Sequence, residues 1–169
     1  MAIMGFKKTS DLIAISFGIT EAGANTYTEE EIALQLDVLN NEIFVVVACD
    51  LNPNVPTLVA GSLTATTMSV SSTSATGIQD LSDSNCLATS QLVIRSSAGE
   101  AVAFTRASEE SVPTQLDYVG LIATNNFFVG IVGENNTVAR SGTGRLWGYR
   151  ARADATTFAA LVQSEVLSA

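Results

Sequence analysis

The sequence contains no histidine, and its two lysines are Lys7 and Lys8. Without histidine, Ser-His-Asp and Cys-His catalytic sites and histidine-bearing metal sites are excluded. A Walker phosphate loop needs a lysine after its glycines, and no lysine follows Lys8. The 17 acidic residues leave a carboxylate pair for glycoside hydrolysis open, but no pattern singles one out. We therefore expect no enzymatic activity and no cofactor.

Cysteine and metal-binding patterns are also scarce. Cys49 and Cys86 are the two cysteines, and they form no C-x-x-C motif. We interpret them as buried thiols that behave as small hydrophobes, with a disulfide between them left open. Asp80, Asp83 and Asn85 are a weak calcium candidate, but the glycine and final glutamate of an EF-hand loop are missing. A loop capped by these three side chains is the favoured interpretation.

Charge is scarce too, at 15% of residues against roughly 25% in average soluble domains. The longest strongly apolar run, Ile43 to Cys49, is far shorter than the roughly 20 residues of a membrane-spanning helix, so no transmembrane segment is expected. Because the centres of protein interfaces are depleted in charge, we expect copies of the protein to cover part of the surface. A monomer coated in serine and threonine is the alternative.

The charge is unevenly distributed. The net charge is −9, which disfavours general nucleic-acid binding because that affinity depends on Lys and Arg. Residues 1–139 hold 4 basic and 15 acidic side chains, whereas residues 140–169 hold 4 basic and 2 acidic ones. This asymmetry suits contacts between copies of the chain.

Most of the chain alternates with a period of two, which predicts β-strands. Residues 31–39 alternate, residues 42–51 form a continuous β-branched run, and Asn40-Asn41 between them predicts an antiparallel hairpin. Two further hairpins are predicted around residues 97–100 and around Asn125-Asn126. With the segments 61–74 and 145–153, we expect about eight antiparallel strands in an all-β sandwich or barrel.

The two ends of the chain are less regular. Asp154 is a candidate N-cap, and Phe158, Leu161, Val162 and Val166 follow at helical spacing. We expect residues 154–169 to form a short helix, with a strand as the alternative. Residues 1–20 are expected to form an N-terminal arm or strand, and residues 1–169 a single domain.

The segment "RSGTGRLWGYRARADA" (140–155) holds four of the six arginines. Gly142 and Gly144 begin a dinucleotide-type pattern, but Trp147 replaces its third glycine, so we interpret the glycines as a flexible turn or bulge. Its arginines predict bidentate pairing with carboxylates of this chain or a neighbouring copy, with RNA or DNA phosphate as the second choice. We expect Arg150→Glu to impair assembly more than folding. The candidate contacts between subunits are Arg140, Arg145, Trp147, Arg150, Arg152, Phe127 and Phe128.

Three segments together resemble the small, acidic, Ser/Thr-rich capsid proteins of tailless icosahedral viruses: "LNNEIFVVVACDLNP", "LDYVGLIATNNFFVGIVG" and "GTGRLWGYRARADATTFAALVQSE". The resemblance implies a single jelly roll and a virion coat subunit. It also implies self-assembly with copies of itself and with other capsid proteins, in the host cytoplasm. Many coat proteins carry a basic N-terminal arm for genome contact, and here Lys7 and Lys8 stand alone, so such contact is not expected.

Two other classes of function stay open. A subunit of an extracellular filament or surface layer would share the low charge, but the apolar start of the chain is a poor export signal because Asp11 and Ser16 interrupt it. A carbohydrate- or receptor-binding module would expose clustered aromatic rings, and the rings are scattered along the sequence.

Overall fold

Two antiparallel five-stranded sheets pack face to face in the computed structural model, which describes residues 5–107 and 116–168. The strands are β1 (Phe6–Lys8), β2 (Ile13–Thr20), β3 (Thr28–Ala33), β4 (Glu42–Pro53), β5 (Leu63–Ser71), β6 (Cys86–Ser97), β7 (Glu100–Ala107), β8 (Gly120–Ile122), β9 (Asn126–Glu134) and β10 (Ser141–Ala153). A 3-10 turn occupies Val38–Asn40, and helix α1 spans Ala155–Ser168.

The order of the strands is that of a jelly roll. In the first sheet β10 pairs with β4 on one side and with both β2 and β1 on the other, and β8 lies beyond β4. The second sheet has the order β3-β9-β5-β6-β7. Eight strands, β2 to β6 and β8 to β10, form the jelly roll, and β1 and β7 are additions to it. The expected all-β sandwich is confirmed.

Two of the three predicted hairpins are wrong. β3 pairs with β9 in the second sheet, whereas β4 lies in the first, and β8 and β9 are likewise in different sheets. Each predicted turn is a connection that crosses between the sheets. Leu34 and Leu36 lie beyond the end of β3 but are buried. The alternation of apolar and polar residues in this segment therefore arises because its leucines contact the core, although the segment is not a strand. The third hairpin is confirmed as β6–β7, closed by Ala98 and Gly99 with φ values of 53° and 80°.

The main core fills the space between the sheets. Aliphatic and aromatic side chains from both inner faces meet there, and Phe17 of β2 contacts Phe127 of β9 edge to face, with ring centroids 6.0 Å apart. Fully buried members include Phe44, Val46, Met68, Ile131 and Leu146.

A second, smaller core lies on the outer face of the first sheet. Helix α1 packs Phe158, Leu161 and Val162 against a cluster that includes Ile43 and Ala151. The Asp154 carboxylate accepts a hydrogen bond from the Thr157 N–H at 2.7 Å, and this bond lowers the pKa of Asp154. The predicted N-cap and helix are therefore confirmed, and α1 covers half of that sheet face.

Candidate assembly surfaces

The glycines of β10 leave space for core side chains. Gly142, Gly144 and Gly148 lie on the inner face of the first sheet. A Cβ atom there would overlap Met68 of the second sheet, the ring of Phe17 and the ring of Phe44 respectively. All three lie within the strand, and their φ values are outside the left-handed region. The interpretation of Gly142 and Gly144 as a flexible turn or bulge is therefore wrong. The irregularity in pairing with β4 falls between Trp147 and Gly148.

Arg150 makes its contacts within the chain. Its Nη1 atom donates to Glu42 Oε1 at 2.7 Å and to the Gln35 carbonyl at 3.1 Å, and Nη2 donates to the Leu34 carbonyl at 2.7 Å. The connection from β3 to β4 is thereby attached to β10. A carboxylate partner for this arginine within the chain was predicted and is present.

We expect Arg150→Ala to lower the free energy of unfolding by about 2 kcal/mol, because a charge-assisted pair and two carbonyl bonds are lost together. Urea denaturation measures this. Arg152→Ala is the matched control, because Arg152 lies exposed on the same strand and should have little effect. Equal stabilities of the two variants would contradict the role given to Arg150. That Arg150→Glu impairs assembly more than folding stays a prediction, and these contacts add an expected loss of stability.

Arg145 and Trp147 lie on the half of the outer face that α1 leaves open. Arg145 Nε donates to Ser16 Oγ at 3.0 Å, and its guanidinium lies 5.9 Å from the centroid of the Trp147 ring. Nearby, Lys8 Nζ lies 4.9 Å from the centroid of the Tyr149 ring. The residues around Arg145 line a shallow groove of about 570 Å³. Arg145 and Lys8 are thus each held over an aromatic ring of the outer face, and Tyr149 also packs against the second core.

The remaining contact candidates occupy different environments. Arg140 Nη1 donates to the Val55 carbonyl at 2.8 Å, and Arg152 is exposed. Phe128 is half-buried on the outer face of β9. Phe127 has no exposed surface because it belongs to the main core, so the prediction that it contacts another subunit is wrong.

Glu21 joins the β2–β3 connection to β9 and to the β9–β10 connection at one end of the sandwich, and no local sequence pattern predicts this role. Its side chain is 4% exposed. Oε2 accepts from the N–H groups of Thr26 at 2.9 Å and Gly133 at 2.8 Å, and Oε1 accepts from the Arg140 N–H at 2.8 Å. Asn136, also buried, accepts from the Thr57 N–H and donates to the Ala65 carbonyl, each at 2.8 Å. These bonds fix the loops at this end.

The segment around Asp80 is a loop closed by its own side chains. Asp80 Oδ1 accepts from the Ser82 N–H at 2.8 Å, and Asp83 Oδ2 accepts from the Asp80 N–H at 2.9 Å. The bonds from Ser82 lower the pKa of Asp80. Asn85 is buried, and its carbonyl accepts from the Ser72 N–H. Within residues 5–107 and 116–168 no cluster of three or more Cys, Asp or Glu side chains could hold a metal ion.

Both cysteines are present as thiols. Cys49 is buried in the main core. Cys86 is half-buried at the start of β6, where burial raises the pKa of its thiol to about 11. A group with this pKa stays protonated at neutral pH. The two side chains do not form a disulfide, and Cys86 Sγ donates a hydrogen bond to the Ala88 carbonyl at 3.4 Å.

Large apolar side chains are exposed on three sides of the molecule. Leu39, 93% exposed, lies in the 3-10 turn before β4, and Val55 lies just after that strand. Because β4 has 12 residues, these positions are roughly 35 Å apart, at opposite ends of the sandwich. The third site is the edge strand β7, where Val102 and Phe104 are exposed. Leu58, Leu63 and Val138 are further exposed residues.

No helix in the described part of the chain is long and apolar enough to cross a membrane. No protein-family model matches the sequence, and no curated protein matches it. Among solved structures, a chain from Desmodium yellow mottle tymovirus is similar over 86% of this chain and 91% of that one. The sequence identity is 15% and the TM-score is 0.34. A likeness this distant does not establish a shared function.

Proposed function

We propose that the protein is a structural, non-enzymatic subunit of a viral capsid that assembles with copies of itself into a closed shell and resides in the virion. The observation that carries the proposal is the exposure of large apolar side chains on three separated sides of a jelly roll. A dimer needs one contact surface, and a simple filament needs two opposite ones. A closed shell requires each subunit to contact neighbours in several directions.

The fold and the charge distribution support the same function. Double-sheet jelly rolls recur in viral capsid domains. Six of the eight basic residues lie on β1, on β10 or directly before β10, whereas Glu29, Glu30 and Glu31 follow one another on β3 at the edge of the second sheet. Such a separation of charge favours oriented contacts between copies. The basic residues are Lys7, Lys8, Arg140, Arg145, Arg150 and Arg152.

We expect Leu39→Asp to raise the protein concentration needed for assembly at least about tenfold, because a leucine buried at an interface contributes roughly 1.5–3 kcal/mol. The fold should tolerate the change, since Leu39 is almost fully exposed. Sedimentation velocity in near-physiological salt measures assembly, and thermal unfolding measures the fold. Thr76→Asp is the matched control, because it adds the same charge at an exposed polar position.

Negative-stain microscopy of the unmodified protein separates the alternatives. Closed particles or ring-shaped capsomers support the proposal, and fibres support the filament subunit. A stable 17.7 kDa monomer at micromolar concentration would contradict it. A monomer that binds glycans would instead support the binding module.

A further inference from the structure

Strand β7 is an open edge of the second sheet. It pairs with β6 along one side, from Ser90↔Ala107 to Ser97↔Glu100, and with no other strand that the structure describes. Residues 100–106 are all exposed, so neither face of β7 is covered. Val102 is 58% exposed and Phe104 is 44% exposed. An apolar strand that extends a sheet without cover presents a surface for another chain.

The edge lacks the features by which proteins prevent such pairing. Natural edge strands are short, contain lysine or proline, or are interrupted by a bulge. β7 has eight residues, contains neither lysine nor proline, and keeps an unbroken register with β6. Its charged residues stand near its two ends, Glu100 at one and Arg106 at the other.

The turn before β7 determines which backbone groups are open. Ala98 and Gly99 both have positive φ, as in a two-residue type I′ hairpin, whose flanking residues form a hydrogen-bonded pair. Glu100 therefore directs its N–H and C=O toward β6, and the groups alternate from there. The N–H and C=O groups of Ala101, Ala103 and Thr105 point away from β6, toward a partner strand.

We propose that β7 pairs antiparallel with β7 of a second copy about a two-fold axis at Ala103, which joins two second sheets into one ten-stranded sheet. This contact rests on the self-association proposed above and names one of its interfaces. Residues whose numbers sum to 206 lie opposite each other, so Glu100 faces the partner's Arg106 and Val102 faces the partner's Phe104. By symmetry each pair occurs twice.

Charge and side-chain chemistry select this register. In an antiparallel pair, opposite residues share a face, so the Glu100–Arg106 and Val102–Phe104 pairs both lie on the outer face. If one β7 strand is shifted by two residues along its partner in one direction, Glu100 lies opposite the partner's Phe104. If it is shifted by two residues in the other direction, Arg106 lies opposite the partner's Val102. Each shift replaces a complementary pair with a charge against an apolar side chain.

Arg106 is held in position for this contact. Its Nε and Nη2 atoms donate to Gln91 Oε1, which keeps the guanidinium against the outer face of the sheet. Neither bond uses Nη1. Gln91 in turn donates to Thr67 Oγ1 at 3.1 Å, so the arrangement is anchored to β5.

Ala103→Pro is the first test. Because the Ala103 N–H points outward, proline is compatible with the folded subunit but removes the two bonds at the axis. We expect the dissociation constant of the dimer, measured by sedimentation equilibrium, to rise at least about tenfold with an unchanged melting temperature. In the wild type, hydrogen exchange at residues 101, 103 and 105 should slow as concentration rises, whereas residues 102, 104 and 106 stay protected at every concentration.

A charge exchange keeps the proposal testable if the proline variant does not fold. Glu100→Arg and Arg106→Glu should each weaken the dimer about tenfold, because each creates two like-charge pairs, and the double variant should restore it. Single variants equal to the wild type, or no restoration, would overturn the proposal. Slow exchange at residues 101, 103 and 105 in a monomer would also overturn it, because the edge would then be covered by its own chain.

The same experiments separate this contact from the proposed shell. If Ala103→Pro still forms closed particles with unchanged β7 exchange, the β7 contact is wrong and the shell stands. If the wild type is monomeric at every concentration tested, the β7 contact and the proposed shell are both wrong.

Discussion

Replacing Glu21 by alanine is expected to lower the free energy of unfolding by about 3 kcal/mol. The carboxylate is buried and accepts hydrogen bonds from the N–H groups of Thr26, Gly133 and Arg140. Its removal leaves three donors without an acceptor where the connections β2–β3 and β9–β10 meet. Urea denaturation followed by tryptophan fluorescence measures the change, because Trp147 is the single tryptophan.

Two further variants test whether the loss of the three hydrogen bonds causes this fall in stability. Glu21→Gln should lose less stability than Glu21→Ala, because the amide oxygen still accepts hydrogen bonds. It should still lose some, because the amide nitrogen then faces N–H donors. Glu134→Ala is the control: it removes an exposed carboxylate at the end of β9 and should leave stability nearly unchanged. If Glu21→Ala were as stable as Glu134→Ala, the three bonds would not hold this end of the sandwich together.

The second large effect is expected at Gly148, where alanine should cost about 3 kcal/mol or prevent soluble expression. The added Cβ would overlap the ring of Phe44 and the carbonyl oxygen of Val45. Phe44 is fully buried, and the Val45 carbonyl belongs to the backbone of the neighbouring strand, so neither can move without disturbing the sheet. Thermal unfolding measures the loss.

A graded series tests this explanation. Gly142→Ala should cost less than Gly148→Ala, because its Cβ meets the flexible side chain of Met68. Gly77→Ala should be neutral, because a Cβ there has no neighbour within 4 Å. A reversed order of Gly142 and Gly148 would show that side-chain overlap does not set the cost.

The sequence predicted correctly which side chains share a face of a strand, but it predicted poorly which strands pair with each other. Along β10, Trp147 and Tyr149 lie on one face and Leu146 and Arg150 on the other, as the period of two predicted for this segment requires, because the period of a strand is a local property. The predicted hairpin between residues 31–39 and 42–51 was wrong, because the chain crosses from the second sheet to the first between β3 and β4. Among the hairpins in the described part of the chain, β6–β7 alone has a two-residue turn with positive φ values, and it is the hairpin that was predicted correctly.

The site residues that sequence analysis missed depend on contacts between distant parts of the chain. Glu21 accepts from Gly133, which is 112 residues away, and a single glutamate after a strand carries no local sign of this role. Gly148 is required by Phe44, a residue of another strand. Phe127 was predicted to lie at an interface, but its side chain is fully buried in the main core between the two sheets.

The central position of β10 also governs when the protein can fold during its synthesis. This strand is translated last among the ten, yet it holds β1, β2 and β4 together in the first sheet. While the ribosome is still adding residues 141–153, the first sheet lacks its middle strand, whereas all five strands of the second sheet have already been synthesised. The first sheet can therefore be completed only once β10 is available, and at a pace set by the pairing of strands more than 100 residues apart, such as β2 and β10.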